Sequence, residues 1–404
     1  MLKHAFRILL VCGVVSLTRA GLGQSGAVTG QLAETATKPA GKAATLPSRP
    51  GELKLELLVQ PTRDKKPAAR KINELMVFGD RLYIGCGDAV TNTGPTDILF
   101  FDLKSGKVVK DGAVDDEAIM RYCNLGGMLA IPGTDATEDW SYGNCYTLED
   151  GKWQKHRTIR HGLHVFDIVD YQGRWYVSTL GYFDFPYGPE DEIGKEPPGT
   201  GMILSSCDKG KTWRFEYASS VDINTFSLTP YLAVFQGKLY AFRQAQKSPR
   251  TKQYLAAHGK SGGPVEDAFS SMETVVCDGG LWRGLDLIKE SGLIGVRPVP
   301  VGDKLGLLAV FKNKRALYEF DGRTAAPVDF KLDDYRDVLA KKDHVYLLIH
   351  RDDCWLVART SDLSHWAHWP LPREIDPLSI EVDRGTLYVG TKDGNIYSGT
   401  LPKE

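Results

Sequence analysis

The chain has 404 residues, a formal charge of −1 and 42 glycines. It is too long for one small core and rich in turn formers. Cations and acids balance and no long basic run occurs, which excludes nucleic acid as the expected partner.

Residues 1–23 are the first element. Lys3 and Arg7 precede the apolar run "ILLVCGVVSL" (8–17), and small residues follow in "TRAGLGQ". This is a signal-peptide layout, too short for a stable membrane anchor. A cut after Ala20 or Gly23 removes Lys3, Arg7 and Arg19 and no acid. Cys12 lacks the small residue before it that a lipoprotein site needs. The mature protein is therefore expected to be secreted or periplasmic, with no transmembrane segment. Residues 24–50 are Ala, Thr, Gly, Pro and Ser without an apolar period, a flexible linker. Beyond them lie Cys86, Cys123, Cys145, Cys207, Cys277 and Cys354. Their spacing fits no zinc motif, and six cysteines allow fifteen disulfide pairings. No metal and no cofactor is expected.

From residue 51 to 404 two phrases alternate. The first is a glycine or aspartate and then an apolar, aromatic strand: "GDRLYIG" (79–85), "GGMLAIPG" (126–133), "GRWYVS" (173–178), "GKLYAF" (237–242), "GDKLGLLAVF" (302–311), "DHVYLLIH" (343–350) and "GTLYVGT" (385–391). The second is strand, polar turn, strand, as in "FFDLKSGKVV" (100–109) and "YEFDGRTAAPV" (318–328). Each unit holds about four short strands, the length of a propeller blade. The last unit, "NIYSGTL" (395–401), is truncated, and "LKLELLVQP" (53–61) supplies a strand to complete it. The sequence thus predicts an all-β, seven-bladed β-propeller whose ring is closed by an N-terminal strand, leaving no exposed edge.

The third unit contains "SSCDKGKTWRF" (205–215). Ser206, Asp208, Gly210, Thr212 and Trp213 resemble the Asp-box of sialidase-like propellers, and "TSDLSHW" (360–366) is a degenerate copy. That resemblance implies a structural hairpin remote from any active site. The physical reading is the same: Asp208 accepts from turn amides, Gly210 takes positive φ and Trp213 wedges between blades.

Function is expected on the face carrying the loops between second and third strands. Those of blades 1 to 4 are long, notably 179–201 and 243–271. His164 and Asp167 open the innermost strand of blade 3, and His161 lies just before it. Arg243 ends the second strand of blade 4, where a guanidinium can hold a carboxylate at two points. Asn144 opens the third strand of blade 2. Trp140, Tyr142 and Tyr182 offer aromatic faces for sugar stacking.

The segments "GGMLAIPGTDATEDWSYGNCYTLEDGKWQKHRTI" and "HGLHVFDIVDYQGRWYVS" resemble exported bacterial propeller proteins. More distantly, the architecture is similar to that of ulvan-lyase-type polysaccharide lyases, which use histidine, tyrosine and arginine on the top face. That similarity implies His164, Tyr182 and Arg243 as catalytic residues; by their place on the same face, Asn144, Trp140, Tyr142, His161 and Asp167 are expected to bind substrate. The expected partner is an acidic polysaccharide, the expected chemistry β-elimination, and the expected state a monomer. A non-catalytic glycan-binding or assembly propeller and a glycoside hydrolase remain open alternatives, the latter through Asp135, Glu138, Asp139 and Asp184.

Overall fold

The structure, a computed structural model, describes residues 51–139, 141–160, 162–181, 200–218, 226–246, 274–341 and 343–402. The signal-peptide and linker segments lie outside them.

Strands follow one another as antiparallel meanders of four. The innermost strands are Ile72–Phe78, Cys123–Leu125, His164–Tyr171, Phe226–Phe235, Leu293–Val301, Asp334–Ala340 and Pro377–Asp383. They define blades 1 to 7. Blades 4 and 5 are joined into one eight-stranded sheet by a single bridge between Gln244 and Gly295. The ring closes as expected. Glu56–Val59 pairs antiparallel with Ile396–Thr400, placing Glu56 opposite Ser398 and Leu57 opposite Tyr397.

The second strands are apolar on both faces because both are covered. Leu82, Tyr83 and Ile84 are all fully buried. Leu82 and Ile84 pack toward blade 7, against Tyr388 and Ile396, while Tyr83 packs toward blade 2 with Leu129, Ile131 and Tyr146. Burial on both sides is why alternation is lost there. The six described cysteines are unpaired, four of them buried.

The hairpin of residues 205–215 is a hydrogen-bonded clasp. Asp208 Oδ1 accepts from Thr212 N at 2.8 Å and Oδ2 from Thr212 Oγ1 at 2.6 Å. Gly210 N donates to Ser206 Oγ at 2.8 Å, with Gly210 at φ +84°. Trp213 reaches the preceding blade, where its Nε1 donates to Thr158 Oγ1 at 3.1 Å. In the degenerate copy, His365 N and Ser364 N donate to Asp362 Oδ1 at 2.8 Å, and Leu363 takes φ +65° without a glycine. The hydrogen bonds hold the half-buried Asp208 carboxylate down at about 2. Asp208→Ala should lower the melting temperature by a few degrees and leave ligand affinity untouched; a thermal melt beside a binding titration checks both.

The feature that positions a site is a repeated bulge. The innermost strands of blades 1, 3, 4, 5, 6 and 7 each slip register near their start, after Ile72, Val165, Leu228, Leu293, Tyr335 and Pro377. A bulge re-aims the next side chain. Here the re-aimed residues include Glu74, Asp167, Tyr231 and Asp337, and all four line the central channel.

Candidate functional site

Five of the eight site residues expected from sequence are among the described residues. Trp140, His161 and Tyr182 lie outside the described residues. His164, expected at the channel mouth, is only 2% exposed, and neither ring nitrogen has a hydrogen-bond partner among the described residues. It sits 5.9 Å from the ring of Phe166, which packs with Leu180 and Leu228. Burial pushes its pKa down to about 4, so the ring is neutral. A ring enclosed in this way has no route to a substrate proton in this conformation.

Asn144 is fully buried and structural. Its Nδ2 donates to Asp116 Oδ2 at 3.0 Å, and Tyr146 OH donates to the same oxygen at 2.7 Å. Burial still raises Asp116 to about 6, and raises Asp135 to about 7 with help from Glu117 and Asp116. Arg243 is partly buried and already partnered. Its neighbour Gln244 lines the channel instead, so strand alternation turns Arg243 toward blade 3. Of the aromatics expected to stack on sugar, Tyr142 is the one among the described residues; it is 41% exposed, with the Arg157 guanidinium 5.8 Å from its ring centre.

Asp167 belongs to something the sequence reading missed, a charged belt around the channel. Asp167 Oδ2 pairs with Arg121 Nη1 at 2.7 Å and accepts from Leu232 N of blade 4 at 2.9 Å; its Oδ1 accepts from Ile168 N at 3.1 Å. Asp337 repeats the arrangement. Its Oδ1 accepts from Arg297 Nη2 at 3.0 Å and Val338 N at 2.7 Å, and its Oδ2 from Ile380 N of blade 7 at 2.9 Å. Glu381 does so again, with Lys341, Val382 N at 2.7 Å and Val77 N of blade 1 at 3.2 Å. In each case a cation from the preceding blade and an amide from the following blade meet on one carboxylate. These latches hold neighbouring blades in register.

The belt also divides the channel. Glu74, Arg121, Tyr231 and Arg297 line cavities on both sides of it. Above, toward the face where the innermost strands begin, is a cavity of about 80 Å³ that adds Gln244 and Arg336 to its wall. Below is one of about 540 Å³ walled by Val169, Val234, Pro298 and Val338. The Tyr231 ring lies between two guanidiniums, 5.1 Å from Arg121 and 5.4 Å from Arg297. Arg336 stacks on Trp355 at 4.0 Å and pairs with Asp376. Among the described residues no group of histidine, cysteine and carboxylate side chains is arranged to hold a metal ion.

The missed residues carry a legible signal. Charge stands inside otherwise apolar strands, in "INELMVF", "IGVRPVPV" and "DYRDVLA". A charge buried in a central strand needs a partner or a function.

No protein-family model matches the chain, and no curated protein resembles it in sequence. Solved structures do resemble it in shape. Virginiamycin B lyase from Staphylococcus aureus has a TM-score of 0.55 at 12% identity, over 87% of this chain and 100% of that one. An oligogalacturonate lyase in complex with manganese has 0.55 at 10%, over 90% and 96%. The β-propeller domain of the trilobed protease from Pyrococcus furiosus has 0.52 at 8%, over 82% and 95%. At such identities the likeness shows the propeller fold alone.

Proposed function

We propose that this protein is an extracytoplasmic carbohydrate-active propeller that holds an acidic polysaccharide across its top face, with β-elimination as its chemistry. The observation that carries the reading is the upper channel cavity. Arg121, Arg297 and Arg336 converge there with the Gln244 amide, on the face that bears the long loops. Guanidiniums in a water-poor site are suited to a planar carboxylate. A cavity of about 80 Å³ admits that group and not a sugar ring, so the sugar chain itself lies above, on the face where Tyr142 offers a stacking ring.

Elimination needs the uronate carboxylate neutralised, which acidifies the C5 proton, and a base to remove that proton. The arginines meet the first need. Burial removes His164 from the second, and the role passes to Tyr182 of the blade 3 loop. The leader-like N-terminus supports a location where such polymers are met. Among the described residues no helix is long and apolar enough to cross a membrane.

Incubation with polygalacturonate should give saturable binding and a rise in ultraviolet absorbance from the conjugated C4–C5 double bond. A neutral glucan should give neither. Binding without absorbance change would leave a glycan-binding protein, and reducing ends without absorbance change a hydrolase. No binding to any acidic polysaccharide would overturn the proposal.

A further inference from the structure

Glu74 is the blade 1 counterpart of Asp167 and Asp337, the first residue after the bulge. Asp337 is latched by three hydrogen-bond donors and Asp167 by four, the Cys123 thiol among them. Glu74 has no hydrogen-bond or ion-pair partner among the described residues. The reason is local. The innermost strand of blade 2 is the three residues Cys123–Leu125, without the bulge that presents a following-blade amide at Leu232 and Ile380. Glu74 is therefore a carboxyl group deep in the protein whose open surface faces the channel, on the wall of both cavities.

The charges around it are otherwise settled. Arg121 has Asp167, Arg297 has Asp337, Arg336 has Asp376 and Lys341 has Glu381. Glu74 is the carboxyl left over. Ionised, it makes the belt acidic and repels an incoming anion; protonated, it leaves the belt neutral and presents an O–H.

We propose that Glu74 is the belt residue that meets the ligand, sharing its proton with the carboxylate of an acidic sugar seated in the upper cavity. This rests on the polysaccharide reading above and deepens it by naming the recognising group. Arg121 supports the same contact, since its guanidinium has five N–H donors and gives one nitrogen to Asp167. Burial is the main force on Glu74. Asp337 and, more weakly, Glu381 add to it, Arg121 and Arg297 oppose it, and the outcome lies well above the usual carboxylate range. Asp167 and Tyr231 complete the ring of groups around the channel.

The sign follows. Ligand affinity is full while Glu74 is protonated and falls as pH rises through its titration, by up to about tenfold per pH unit. The experiment is a polygalacturonate titration at fixed ionic strength from about pH 5 to about pH 8, on the full mature chain and on Glu74→Gln. The wild type should weaken across the range. Glu74→Gln keeps a donor and cannot ionise, so its affinity should stay within about threefold throughout. An infrared band of a protonated carboxyl at neutral pH, present in the wild type and absent in Glu74→Gln, is the second readout and needs no ligand. A variant with the wild-type pH profile, or a wild type without that band, overturns the role of Glu74. A wild type that binds at no pH overturns the polysaccharide reading instead.

Discussion

Asp337→Ala should destabilise the propeller by roughly 3–5 kcal/mol, the cost of stranding one member of a buried ion pair. Three donors lose their acceptor at once: Arg297 Nη2, Val338 N and Ile380 N. The arginine is the costly one. Its side chain is 12% exposed, and it also donates to Arg336 O at 3.2 Å. The Ile380 amide belongs to the next blade, so the loss falls on the contact between blades 6 and 7. Denaturant melts at neutral pH measure the total. A double variant, Arg297→Met with Asp337→Leu, separates pair from position. Without a stranded charge it should recover much of the loss, whereas a purely steric role for Asp337 would leave it as unstable as the single variant. The double variant should also weaken polygalacturonate binding, since Arg297 lines the upper cavity.

The fold was readable because closure and repetition write themselves into a chain. Each second strand needs both faces buried, so each appears as an apolar run after a glycine or aspartate, and "LKLELLVQP" stands out as a strand without a blade. The Asp208 hairpin was readable because its geometry is local: acceptor, positive φ and tryptophan all lie within eight residues. The site was not readable in the same way. Strand position gave His164 a place near the channel, but the bulge after Val165 gives the channel to Asp167 and leaves His164 buried. Alternation alone cannot show a bulge, because one extra residue exchanges the two faces. At the end of the second strand of blade 4, it is Gln244, the neighbour of Arg243, that lines the channel cavity. Glu74, Arg121 and Arg297 come from three blades, and only the closed ring brings them together.

His164→Leu should leave stability at neutral pH unchanged or slightly raised, and should remove about 3 kcal/mol of acid sensitivity. The folded histidine titrates at about 4 against an ordinary value of 6.5, because burial disfavours the cation. Its folded pKa is depressed, so the native state binds fewer protons than the unfolded chain between those values. Stability from this group is complete above about pH 6.5 and is lost as pH falls toward about 4. Asp116 and Asp135, held up at about 6 and about 7, act with opposite sign in an overlapping window. Only the difference between variant and wild type therefore isolates the histidine. Leucine has a similar volume and removes two buried nitrogens that have no partner among the described residues, which is why no neutral-pH loss is expected. Paired denaturant melts at neutral and acid pH provide the test, with polygalacturonate binding measured alongside at neutral pH. An unchanged acid loss would mean that the ring is hydrated or partnered in solution. Binding or elimination that vanishes in a variant of full stability would return His164 to the active site and require the apolar cluster of Phe166, Leu180 and Leu228 to open.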